Sequence, residues 1–169
     1  MNIERIREWL YLESGRELFA DPDRDLWQYD PNGRVISYFQ TPLFLVHEIH
    51  HAMTCPESAL DKFNYGLKDS ILTGRKEDTE EAEAVEAVVI GYDRALIQYS
   101  GADEEVVVGM IDYDIPYNVP VATSLPYPDE IRDLLAEIVV ASVAQLSPEA
   151  RELYRKETRF RVDPNRVNF

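Results

Sequence analysis

The sequence predicts one mainly helical α+β domain over residues 1–169, with a small β-sheet, and three observations predict it. A helix bracketed by Thr41-Pro42 and Pro56 carries HEIHH at 47–51, and a longer, glutamate-rich helical stretch follows at 79–100. Between turn-forming residues and the first of these, RVISYF at 34–39 has the β-branched and aromatic character of a strand. With 169 residues, 45% of them hydrophobic, the chain can bury roughly two thirds of the surface its unfolded form exposes, enough for a single core.

Asn2 can cap a first helix, in which Ile3, Ile6, Trp9, Leu10 and, at the margin of the pattern, Leu12 recur at helical spacing until Gly15 interrupts them. Aspartate, proline and glycine crowd 21–33 and favour turns before the strand at 34–39. The Thr41 hydroxyl can cap the next helix, and Pro42 at its first position gives up only an amide that would lack a partner anyway. The helix LFLVHEIHHAMTC is apolar on most sides, with its polar groups in the middle, and Pro56 ends it.

The long helix at 79–100 places Glu80, Glu81, Glu83 and Glu86 near its N-terminal dipole, carries Val85, Val89, Tyr92 and Leu96 on a core stripe, and stops at Gly101. EVVVGMI at 105–111 reads as a second strand. Prolines at 116, 120, 126 and 128 then break the chain, an amphipathic helix covers 129–146, and Ser147-Pro148 opens a last short helix.

Charge excludes some partners. Seventeen basic residues against 32 acidic ones leave a formal charge of −15, which opposes binding to nucleic acid or to an anionic membrane and favours a cationic partner. No run reaches the length of a bilayer span, the single cysteine cannot pair within the chain, and the opening residues lack the apolar stretch of a signal peptide. The expected location is the cytoplasm.

His47 and His51 satisfy H-E-x-x-H. Four residues apart on a helix, their imidazoles project from one face, one turn above the other, so both can reach one ion. All 3 histidines of the chain fall within this stretch. Glu48 lies beside the same face, where in a zinc hydrolase it would act as general base. With no histidine left, the third ligand is expected to be a carboxylate of the long helix: Glu86, among Val85, Val88, Val89 and Ile90, or Glu83 one turn earlier. His50 is expected to stand behind the ligands or to pack, and Cys55 to be a small buried residue at the helix end rather than a ligand.

HEIHH, Gly66 and the glutamates Glu83 and Glu86, together with GRVISYFQTPLFLVHE upstream and IPYNV (115–119) and YPDEI (127–131) downstream, resemble the elongation factor P hydroxylase family over most of the chain. The sequence departs from that family's pattern at Ala52, Met53 and Val88 to Ile90, and lacks its upstream histidine near Phe39. The resemblance implies a non-haem iron (Fe2+) hydroxylase acting on a lysine-like side chain of a protein such as elongation factor P, or on a small cationic molecule. The residues leave open a zinc (Zn2+) peptidase with the same ligands and Glu48 as base, and a noncatalytic binding module braced by its ion. By analogy, the helix pair is expected to sit in a zincin-like fold.

Overall fold

The computed structural model describes residues 3–14, 17–21, 28–29, 34–38, 42–54, 76–111 and 119–161. Six helices lie among them: α1 (Ile3–Ser14), α2 (Pro42–Thr54), α3 (Lys76–Ser100), α4 (Glu104–Ile111), α5 (Asp129–Ala144) and α6 (Pro148–Arg161). Three short strands, β1 (Glu17–Asp21), β2 (Gln28–Tyr29) and β3 (Arg34–Tyr38), form a ladder of order β1-β3-β2, with β1 parallel and β2 antiparallel to β3. Leu18 lies opposite Val35 and Phe19 opposite Ile36.

The core is where the expected fold class has to be corrected. Each residue of the described hydrophobic core cluster lies on a helix: Ile6, Trp9 and Leu10 of α1; Leu43, Leu45, Val46 and Ile49 of α2; Ile90, Leu96 and Ile97 of α3; Val107, Val108 and Ile111 of α4; Ile131, Leu135 and Val139 among those of α5. Helix packs on helix, with α2 against α3 and both against α5, and with α6 laid along α4. The molecule is therefore helical rather than α+β, and the zincin-like expectation, which paired these helices with a sheet, falls with it.

The strand expected at 105–111 is helix α4. Its run of β-branched valines does favour extended backbone, but two local effects oppose this. Asp103 accepts a hydrogen bond from the Val106 amide at 3.3 Å, and its carbonyl accepts one from Val107 at 3.1 Å, which starts a helical turn. Val106, Val107, Val108, Gly109 and Ile111 are all buried, so the segment is apolar on every side and shows no amphipathic period. A fully buried short run cannot be told from a strand by pattern, and packing against α6 decides it.

Gly109 sets how closely α4 and α6 approach. A Cβ built there would lie 2.9 Å from the Cβ of Tyr154 and within 2.5 Å of its backbone carbonyl oxygen, which cannot rotate away. Gly109→Ala is therefore expected to push the two helices apart and destabilise the chain by about 1–3 kcal/mol, read as a lowered denaturation midpoint with an unchanged slope. At the end of α3, Gly101 adopts φ 75°, the left-handed conformation that closes a helix, and its amide reaches the Gln98 carbonyl at 3.3 Å.

The other helices differ from expectation only at their ends. Helix α3 begins three residues before Thr79, α5 ends two before Leu146, and α6, expected to be short, runs 14 residues. The expected caps at Asn2 and Thr41, the turns at 22–27 and 30–33, Cys55, Gly66 and most of IPYNV lie outside the described residues, and Asp21, expected in a turn, ends β1. Among the described residues, no helix is long and apolar enough to cross a membrane.

A strap at 119–127 crosses α3 on its way to α5. The Ala122 amide donates to the Gly91 carbonyl at 3.0 Å, and a Cβ on Gly91 would meet the Pro120 carbonyl oxygen at 2.9 Å. Arg94 spans the same junction, donating to Glu104 at 2.6 Å and to the Val119 carbonyl at 2.5 Å. The strap ends at Tyr127, which is thereby held over the middle of α2.

Candidate metal centre

Helix α2 is buried along its length because Leu43, Leu45, Val46 and Ile49 face the core on several sides, and its histidines are carried inside with it. His47 and His51 each retain 8% of their exposure and His50 none. Three imidazoles in an apolar interior each require partners, since an unpartnered buried polar group costs about 1–3 kcal/mol. Helix α3 supplies them from one stripe. Glu86 and Asp93 are seven residues apart, two turns along one face, and both point at α2.

Glu86 receives the outer pair. His47 Nε2 lies 3.0 Å from its Oε1 and His51 Nε2 lies 2.9 Å from its Oε2, with the two rings edge to face at 4.8 Å between centroids. Ligand atoms of His47, His51 and Glu86 all fall within 4.8 Å of one another. Around an ion bonded at about 2.1 Å in tetrahedral geometry, adjacent ligand atoms stand about 3.4 Å apart. The two histidine–carboxylate spacings need to open by only a few tenths of an ångström to admit one. Glu86 keeps 22% of its side-chain exposure, so the centre sits at the edge of the core.

Asp93 receives the inner pair from behind. Its Oδ2 is 2.7 Å from His47 Nδ1 and its Oδ1 is 2.5 Å from His50 Nδ1. The far nitrogen of His50 meets the Tyr127 hydroxyl at 2.8 Å, and the two ring planes are parallel to within 10°. Trp9 of α1 packs edge-on against Tyr127 at 5.9 Å. A buried carboxylate on the Nδ1 of a histidine whose Nε2 faces a ligand cluster is the arrangement that orients metal-binding imidazoles.

Charge balance around the cluster follows from these contacts. Burial pushes the Glu86 pKa upward, but hydrogen bonds from His47 and His51 outweigh it and hold the carboxyl down to about 2. Burial likewise opposes ionisation of Asp93, and the charge of His47, with hydrogen bonds from His47 and His50, overrides it to keep Asp93 well below the usual carboxylate range. His47 is penalised by burial yet raised well above the ordinary histidine value by Asp93 first and Glu86 second. Both carboxylates thus favour a proton on His47, and an ion bound through its Nε2 would have to displace the one shared with Glu86.

Of the residues singled out in the sequence, the structure brings His47, His51 and Glu86 together. Glu83 is exposed one turn away and outside that cluster. Glu48 is half-buried on α2 and is likewise outside it. Comparison with family models, curated proteins and solved structures found no match for this chain. The centre therefore stands on its geometry.

Two of its residues escape a reading of the sequence. Asp93 sits in VVIGYDRALI, where a lone aspartate in an apolar helix two turns after Glu86 was the available signal. His50 carries the complementary one, three residues after His47 and so within reach of the same partner. Tyr127 had none, because its approach to His50 depends on the path of the strap.

Proposed function

We propose that this chain is a mononuclear metalloenzyme in which His47, His51 and Glu86 hold a divalent ion, with iron(II) as the resident metal and hydroxylation as the reaction. The observation that carries the reading is the convergence of two Nε2 atoms on one carboxylate, with Asp93 behind His47. Two histidines and one carboxylate leave coordination positions free, and a ferrous ion held this way supplies oxygen activation. The protein contributes the ligand set, the orientation of His47 through Asp93, and an edge position from which a substrate side chain can reach the centre.

A cationic target fits the formal charge of −15, and the proposed substrate is a lysine-like side chain of a protein similar to elongation factor P, or a small cationic molecule. The proposed location is the cytoplasm. The half-buried Glu48, adjacent in sequence to His47, favours a second reading, a zinc peptidase in which Glu48 serves as base.

Metal analysis of anaerobically purified protein separates the two. The first reading expects about one iron per chain and oxygen consumption that depends on it. Zinc at that stoichiometry with cleavage of a peptide would replace it by the second. Glu48→Gln is expected to leave metal content unchanged in either case and, under the peptidase reading, to lower turnover by about 10²–10⁴-fold.

A further inference from the structure

The three residues behind the ligands form a continuous chain whose direction is dictated by donor and acceptor chemistry. Ionised Asp93 only accepts, so both Nδ1 atoms that face it must carry protons: His47 donates to Oδ2 and His50 to Oδ1. The other ring nitrogen of His50, Nε2, faces the Tyr127 hydroxyl at 2.8 Å. At the end of the path His47, held at Nδ1, turns its Nε2 toward Glu86 and His51.

We infer that Tyr127 and His50 are positioning residues for the metal centre: Tyr127 fixes the ring of His50, His50 and His47 together fix the carboxylate of Asp93, and Asp93 so held orients His47 with its Nε2 toward Glu86 and His51. The inference rests on the proposed metal reading and extends it from the ligands to two residues that touch no ligand atom. Three features of the fold agree with it. His50 is fully buried and cannot exchange partners with water. The strap that delivers Tyr127 is pinned to α3 at Gly91 and Arg94, on the same helix as Asp93. Trp9 and His50 confine the Tyr127 ring from two directions.

The alternative is that Tyr127 and His50 merely satisfy one another in the core. Losing the Tyr127 hydroxyl would then lower stability and leave metal affinity alone. Outer partners of metal ligands are worth about 10–100-fold in affinity, and Tyr127 acts through one more residue, so the low end of that range applies.

The test titrates the metal-free full chain with Co2+, followed by its visible absorption. The wild type is expected to bind one ion, and Tyr127→Phe to bind one ion about tenfold more weakly. In a His50→Phe background, adding Tyr127→Phe is expected to change affinity no further. Nitrogen-15 spectra of wild type and Tyr127→Phe supply a readout independent of whether His50→Phe folds: the His47 Nδ1 proton that faces Asp93 is expected to be protected from exchange with water in the wild type and to exchange faster in the variant. If the wild type binds Co2+ and Tyr127→Phe matches its affinity, or if the His47 Nδ1 proton is equally protected in both proteins, the inference is overturned and the metal reading stands. If the wild type binds no ion, the metal reading fails and the inference fails with it.

Discussion

Replacing Glu86 by glutamine is expected to lower affinity for a divalent ion by about a thousandfold, while Glu83→Gln leaves it unchanged. Glutamine preserves the shape of the side chain and removes the charge, and its nitrogen cannot ligate, so one of the two imidazoles loses the oxygen that faces it. Protein sites that hold zinc with four ligands are worth about 10–16 kcal/mol, so one ligand in a set of three or four carries on the order of 4 kcal/mol, about three powers of ten. Glu83 shares the helix and the charge but is exposed and outside the cluster, which makes it the matched control. Competition titration against a chelator of known affinity measures both variants. Equal affinities in the two would remove Glu86 from the ligand set.

Asp93→Asn should also weaken metal binding strongly, and it should do so without altering any ligand. An amide presents one acceptor and one donor where the carboxylate presents two acceptors, so either His47 or His50 must face an N–H and surrender its Nδ1 proton. When His47 is the one displaced, its proton moves to Nε2 and the lone pair needed for the ion is gone. The expected loss is about 10–100-fold in affinity. The ion-free protein should suffer separately, because the deeply buried His47, whose pKa Asp93 raises, loses its counter-charge; removing one partner of such a pair costs about 3–5 kcal/mol. Denaturation of wild type and variant, each with chelator and with saturating metal, resolves the two effects. An Asp93→Asn protein with unaltered affinity and a large loss of ion-free stability would mark Asp93 as structural only.

These expectations depend on residues of very different legibility. His47 and His51 are readable because helical spacing converts a four-residue interval directly into a shared face, and Glu86 because an isolated charge among valines and isoleucine on a helix has to be accounted for. The same argument applies to Asp93, whose apolar neighbours are as dense, yet the motif requires only one carboxylate, and a second draws no notice until the carboxylates and histidines are seen to interleave at i, i+3 and i, i+4 against i, i+7. Tyr127 depends on tertiary contacts made by Gly91 and Arg94, which no local pattern encodes.

The fold was less legible than the site for a related reason. Strand and helix are distinguished in sequence by the alternation of apolar and polar residues, and EVVVGMI has no polar residue after Glu105 to alternate with. Propensity then favours strand, whereas Asp103 at the start and the backbone of Tyr154 against Gly109 impose helix. A class assignment that leaned on this segment for part of its sheet was bound to move toward helix once it was buried on all sides.

The central claim is that His47, His51 and Glu86 hold one ion. Anomalous diffraction at the metal edge, from crystals of the chain loaded with iron(II) under anaerobic conditions, tests it most directly. The account predicts a single peak within about 2.0–2.2 Å of His47 Nε2, His51 Nε2 and a Glu86 carboxylate oxygen, with Asp93 still on His47 Nδ1. Density from a loaded crystal with no peak between these residues, or with the ion bound elsewhere on the chain, would contradict it.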